Sequence, residues 1–291
     1  VQWWDDIMGR LELGLTPVAL NAHIVVAGWS SRTLTIIEEL LVSQGQVERF
    51  LRQRGARHLR VVLLAERADV SLRQEIKLQL GERWNSGQII LRSGSPLNLD
   101  DLERVDFAHA GAILIPAADT TAASTLDADT NTVKTLMTVG AALEDMPTGE
   151  LPLVVAEIQD TRYIGTLRQL YQGPVEVITG DEVISRLIVQ NVRQPGLSHV
   201  YAELSNVSGS QIYVREESQL AGVRVQQLAY AFQEGVLLGV VRPQDDGFQA
   251  LLNPPDDLRL EADDRIAVLA PSYRDAAPPE TIVPFPVTIQ L

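Results

Sequence analysis

Cysteine is absent from the 291-residue chain, which removes disulfide scaffolds, Cys-ligated zinc, iron–sulfur clusters and thiol catalysis together. Long apolar runs are missing too. Stretches such as Val61–Ala65 and Ala112–Ile115 fall far short of the roughly 20 residues that cross a bilayer. No basic segment followed by an apolar one opens the chain, so no signal peptide is expected, and a start at Val1 reads as a piece of a longer protein. Lysine is confined to Lys77 and Lys134. His23, His58, His109 and His199 show no paired metal-ligand spacing, and there is no G-x-S-x-G elbow, so no enzyme is expected.

Hydrophobic residues make up 45% and charged residues 21%, which excludes disorder and allows a packed core. The net charge of −14 is unevenly spread: residues 1–92 carry 12 basic and 10 acidic side chains, residues 93–215 carry 7 and 16, and residues 216–291 carry 5 and 12. Such a surface repels a phosphate backbone, which argues against nucleic acid as a partner. It does not repel cations, and it also serves solubility.

From His23 to Gln194 short apolar runs alternate with amphipathic segments, the pattern of a parallel sheet covered by helices. The expected strands are His23–Ala27, Arg60–Ala65, Gln88–Arg92, Ala112–Ile115, Leu153–Ile158 and Val175–Ile178, each apolar without period-two alternation, as strands buried on both faces are. Helices are expected over Ser31–Val42, over Asp69–Leu80 with Asp69 as N-cap, and over Asp181–Gln194, stopped by Pro195-Gly196. Gly45 to Arg57 reads as a polar, basic insertion. Beyond Pro195-Gly196 come four short strands, Gln211–Arg215, Val236–Val241, Ala250–Leu252 and Ile266–Leu269, with turns at Asp245-Asp246-Gly247 and Asn253-Pro254-Pro255-Asp256. The expected fold is therefore α/β: a Rossmann-like parallel sheet with helices on both faces, plus a smaller C-terminal α+β lobe. The expected divisions are 1–20, a helix with Trp3 and Trp4; 21–180, the sheet lobe; 181–204, a helical crossover; 205–271, the small lobe; and 272–291, a proline-rich linker.

In an open α/β sheet ligands bind outside the carboxyl ends of the strands. After the first strand stands Gly28-Trp29-Ser30-Ser31-Arg32-Thr33, where a dinucleotide fold shows G-x-G-x-x-G; only the first glycine is present, which argues against NAD. Glu66 and Arg67 end the second strand, where an acidic side chain can meet a ribose hydroxyl, and Ser93-Gly94 follow the third. Gly28, Glu66, Arg67, Ser93 and Gly94 are thus the candidate nucleotide-crevice residues. Asp127, Asp129 and Asn131 match the first three ligand positions of an EF-hand, but Thr132 stands where glycine turns the loop and Thr138 where a bidentate Glu belongs, so an EF-hand is rejected. A nonstandard Ca²⁺ site is expected instead from Asp119, Asp127 and Asp129 with Glu157 or Asp160; helix capping is the other role open to Asp127 and Asp129.

The strings Ala22-His23-Ile24-Val25-Val26-Ala27-Gly28-Trp29-Ser30, Leu63-Leu64-Ala65-Glu66-Arg67, Arg92-Ser93-Gly94-Ser95-Pro96-Leu97, Arg186-Leu187-Ile188-Val189-Gln190 and Gln194-Pro195-Gly196-Leu197 resemble, in order, the CASTOR/POLLUX group of ion channels. The resemblance implies a pore domain followed by two regulator-of-potassium-conductance (RCK) modules, with four chains forming a cytosolic gating ring. On that basis this chain is similar to the first RCK module, its Trp3-Trp4 segment to the connector from the pore, and its tail to the lead into a second module. Asp181–Gln194 is similar to the crossover by which two modules embrace. The implied function is a Ca²⁺-responsive gating module of a tetrameric cation channel on the cytoplasmic face of a membrane, which it reaches only through the pore domain. The alternative is a nucleotide-sensing regulatory subunit of a potassium transporter.

Overall fold

The computed structural model describes residues 13–119, 125–206, 209–244 and 247–279. The chain divides into two compact units, Val1–Ile188 and Val189–Leu291. The Trp3-Trp4 segment, the Asp245-Asp246 pair and the end of the proline-rich tail lie outside the described residues.

The first unit is built on six parallel strands: β1 (Ile24–Ala27), β2 (Val61–Ala65), β3 (Ile89–Ser93), β4 (Ala112–Ile115), β5 (Leu153–Ile158) and β6 (Val175–Thr179). Their spatial order is β3-β2-β1-β4-β5-β6, and each lies within a residue or so of the run expected from sequence. The lack of alternation has a direct cause. Side chains of successive strand residues point to opposite faces, and both faces are covered at β1, β2 and β4, whereas the edge strand β6 alternates, with Glu176 and Ile178 exposed, contrary to the expectation. Val25, Val62 and Ile113 pack into one cluster with Leu136 and Val139, whereas Ile24, Val61 and Leu63 pack into another with Ile37, Leu51 and Ile76. Each such side chain contributes about 1.5–3 kcal/mol by leaving water.

Helix α1 (Thr33–Val42) follows β1, and α2 (Gln44–Arg52) follows it directly. The second corrects the expectation of a polar insertion over Gly45 to Arg57. Val47, Phe50 and Leu51 stand at i, i+3 and i+4, pack on the core, and bury Leu51 completely, so a narrow apolar stripe overrides the polar composition around it. Helix α3 (Val70–Leu80) begins as expected, with the Asp69 carboxylate accepting the Leu72 N–H at 2.9 Å. The short α4 (Leu99–Arg104) precedes β4, α5 (Thr125–Ala142) joins β4 to β5, and α6 (Ile164–Gln169) joins β5 to β6. Helix α5 starts two residues before Asp127, so Asp129 lies in its interior and not at its cap.

Helix α7 (Gly180–Arg193) follows β6 in the chain, and α8 (Leu197–Ser205), in the helical crossover expected over 181–204, follows the Pro195-Gly196 stop. The second unit holds β7 (Gln211–Glu216), α9 (Val225–Ala229), β8 (Val236–Gln244), β9 (Gly247–Leu252) and β10 (Arg265–Ala270), the strands forming an antiparallel sheet of order β7-β10-β8-β9. Its core gathers Leu228, Val240, Ile266 and Val268. Asp264, buried, accepts from Arg242 Nε and Nη2 at 2.8 Å each and from the Glu261 N–H at 2.8 Å.

Candidate functional site

Because β1 has β2 on one side and β4 on the other, the chain direction of the strand order reverses there, and the loops leaving β1 and β4 diverge. That divergence opens a crevice at the carboxyl edge of the sheet. A cavity of about 640 Å³ fills it, walled by Gly28 and Trp29 after β1, Glu66 and Arg67 after β2, Ser95 to Leu97 after β3, Pro116 and Ala118 after β4, and Asn131, Thr132 and Thr135 from α5.

Gly28 has φ +121°, a conformation that glycine alone adopts without strain, and a Cβ there would meet nothing within 4 Å, so the turn stays open toward the cavity. Ser30, in the position of the missing second glycine, is buried, and its N–H is bound to Thr33 Oγ1 at 2.9 Å. Of the five residues expected at a nucleotide crevice, Gly28, Glu66 and Arg67 line the cavity. Ser93 and Gly94 support its rim instead. The Ser93 hydroxyl accepts the Ala68 N–H, Gly94 N–H donates to the Ala65 carbonyl, and Asp101 holds Ser95 N–H at 2.8 Å. A Cβ on Gly94 would lie 2.6 Å from the Asp101 side chain, so this loop requires glycine.

The expected metal ligands are distributed differently. Asp119 accepts from the Ser31 N–H at 2.8 Å and the Ser31 hydroxyl at 2.7 Å. Glu157 pairs with Arg32 at 3.1 Å and accepts the Ala117 N–H at 3.0 Å. Asp129, 1% exposed, accepts the N–H groups of Gln159 (2.8 Å) and Asp160 (2.9 Å), stapling the loop after β5 to α5. Asp160 binds Arg162, whose guanidinium hydrogen bonds hold its carboxyl below the usual range. The Asp127 side chain lies outside the described residues. Among the described residues no group of three His, Asp or Glu side chains converges on one point, and each of these four carboxylates accepts from protein donors. The residues that sequence reasoning missed are Ser31 and Arg32, whose partners are remote in the chain, and Asn131 and Thr135, which face the cavity from a helix whose spacing suggested an EF-hand.

At the opposite edge of the sheet His23 is buried, with Nε2 2.8 Å from the Val105 carbonyl; burial lowers its pKa. Helix α7 is exposed over a broad arc of apolar residues, Val183, Ile184, Ile188, Val189 and Val192 being 49–79% accessible.

The six-stranded sheet with its switch-point crevice is Rossmann-like, and a small antiparallel lobe follows it in the chain. Residues 19–148 match the family model for the RCK domain of slowpoke-like calcium-activated potassium channels, and residues 181–285 match that for Castor and Pollux, described as part of a voltage-gated ion channel. The chain is similar to the CASTOR/POLLUX ion channels: it is 26% identical over 285 residues to the ion channel POLLUX of Lotus japonicus, covering 97% of this chain and 29% of that protein. Against the probable ion channel POLLUX of Arabidopsis thaliana the identity is 28% over 275 residues, covering 94% and 31%. Against the ion channel CASTOR of Lotus japonicus it is 26% over 271 residues, covering 92% and 29%. The chain thus spans about three tenths of the length of these relatives. Among solved structures, the human SLO3 gating ring superposes with a TM-score of 0.59 at 13% identity, over 87% of this chain and 48% of that one, which is a likeness of fold. Among the described residues no helix is long and apolar enough to cross a membrane.

Proposed function

We propose that this chain is the first cytosolic regulatory module of an oligomeric cation channel, and that it converts occupancy of the crevice into a rearrangement of a ring that acts on the pore. The observation that carries the reading is the similarity to CASTOR and POLLUX channels over 92–97% of the chain, which takes in both units. The apolar arc of α7 supports self-association, because a helix apolar over so wide an arc is normally covered in its working state. A second copy is the occupant proposed. A ligand shifts such a ring only by its differential affinity for two arrangements. A coupling of about 1–3 kcal/mol per site is typical, and several equivalent sites multiply it.

Sedimentation velocity tests the assembly. The parent chain is expected to associate, and Ile188→Asp combined with Val192→Asp to yield monomers; a monomeric parent at high concentration would defeat the reading. For Ca²⁺ as effector the support is the acidic balance of residues 93–215 together with the resemblance. Calorimetric titration decides: saturable heat supports it, and neither heat nor a melting shift at millimolar Ca²⁺ removes it.

A further inference from the structure

The two ends of the crevice differ in chemistry. Toward β2 and β3 the cavity has apolar walls from Trp29, Pro96 and Leu97, and Glu66 and Arg67 reach it with no hydrogen bond or ion pair to the other described residues. Toward β4 and β5 the positions that would face a phosphate are closed. In a dinucleotide fold the pyrophosphate sits over the glycine turn and meets backbone N–H groups at the start of the following helix. Here the Ser31 N–H at that place is held by the Asp119 carboxylate, the Ser30 N–H is held by Thr33, and Arg32, in the same turn, is paired with Glu157, while Arg67 lies at the other end of the cavity, after β2. A carboxylate therefore already holds an N–H that would meet a phosphate, and a phosphate brought to that N–H would be repelled by it.

We infer that the crevice takes a nucleoside-like ligand, a planar ring bearing vicinal hydroxyls and no phosphate. The ring meets the Trp29 and Leu97 walls, and Glu66, at the end of β2, accepts hydrogen bonds from the hydroxyls. Asp119 is the residue that sets selectivity against phosphorylated forms of the same ligand. The inference rests on the reading of the crevice as the sensing site, and it differs from dinucleotide binding in what it excludes.

Calorimetry with adenosine, AMP and NAD as probes tests it on the parent chain, Glu66→Gln and Asp119→Asn. Adenosine is expected to bind the parent at least tenfold more tightly than AMP or NAD. Glu66→Gln should weaken adenosine at least fivefold at unchanged melting temperature, and Asp119→Asn should narrow the gap between adenosine and AMP. AMP or NAD binding the parent as tightly as adenosine, no binding of any of the three, or a gap unmoved by Asp119→Asn would each overturn the proposal. If the ligand class fails while α7-dependent association persists, only this inference falls; if association fails as well, the gating reading falls with it.

Discussion

Replacing Asp129 by alanine removes a buried carboxylate that ties the loop after β5 to α5. Its two oxygens accept the N–H groups of Gln159 and Asp160 at 2.8 and 2.9 Å. A hydrogen bond to a charged acceptor contributes roughly 1.5–3 kcal/mol net. Gln159 and Asp160 are only half-buried, so water can replace part of the loss, and the lower end applies: about 3 kcal/mol for the pair. For a unit of this size 1 kcal/mol shifts the melting temperature by roughly 2–4 °C, which gives a drop of roughly 6–12 °C for Asp129→Ala. Asp129→Asn keeps one acceptor oxygen and should lose about half of that. Scanning calorimetry of both variants beside the parent measures it, with the loss expected in the transition of the first unit. An Asp129→Ala protein melting within about 1 °C of the parent would refute the staple, and would return Asp129 to the set of residues free to bind a cation.

Four further outcomes follow from packing and titration. Gly140→Ala drives a new Cβ into the Leu170 carbonyl where α5 meets the segment before β6, so it should destabilise by about 1–3 kcal/mol despite alanine's higher helix propensity, read by urea unfolding. Asp264→Asn breaks the buried pair with Arg242 and should cost about 3 kcal/mol in the second unit; because hydrogen bonding to Arg242 holds the Asp264 carboxyl below its ordinary value, the stability it provides is present above that value and is lost as the pH falls through the lowered one, so parent and variant stabilities should converge in acid. His23 has its pKa lowered by burial, so below about pH 6.5 the unfolded chain binds a proton that the folded one resists; the urea midpoint should fall from pH 7.5 to pH 5.5, and less so in His23→Gln. Glu157→Gln should change stability by about 1 kcal/mol or less, since Arg32 is half-exposed, yet weaken self-association in sedimentation; association equal to the parent's would break the link between crevice and α7.

The sheet was readable because the physics that buries it is local in sequence: a strand covered on both faces needs an apolar residue at every position, and Val61–Ala65 or Ala112–Ile115 can satisfy nothing else. The start of α3 was readable for the same reason, since Asp69 caps a residue three positions on. Helix α2 was not, because composition averages over all faces while only the stripe of Val47, Phe50 and Leu51 decides. The site was readable where it depends on strand ends, hence Glu66 and Arg67, and hidden where it depends on long-range pairing. Asp129 and Asn131 have the spacing of cation ligands along the chain, but a helix turns them to different surroundings, one to a loop 30 residues away and the other to the cavity. Nothing local announces that Asp119 will fold back onto Ser31.

That long-range pairing is also what joins the crevice to the surface where a second copy is proposed to dock. Glu157 ends on three sides: it holds Arg32 beside the turn after β1, it accepts the Ala117 N–H after β4, and it abuts the first residue of α7, where a Cβ on Gly180 would lie 3.2 Å from its Oε1. The proposed ligand is expected to loosen or tighten the Arg32 contact, because Trp29 and Pro116, in the same β1 and β4 loops, line the cavity. The carboxylate cannot follow Arg32 without giving up the Ala117 N–H, and either choice changes what α7 packs against at its first turn. The helix carrying Val183, Ile184 and Ile188 thus starts against the carboxylate that also holds Arg32 and the Ala117 N–H. Coupling of the expected size needs no more than one such contact to differ in strength between two arrangements of the ring.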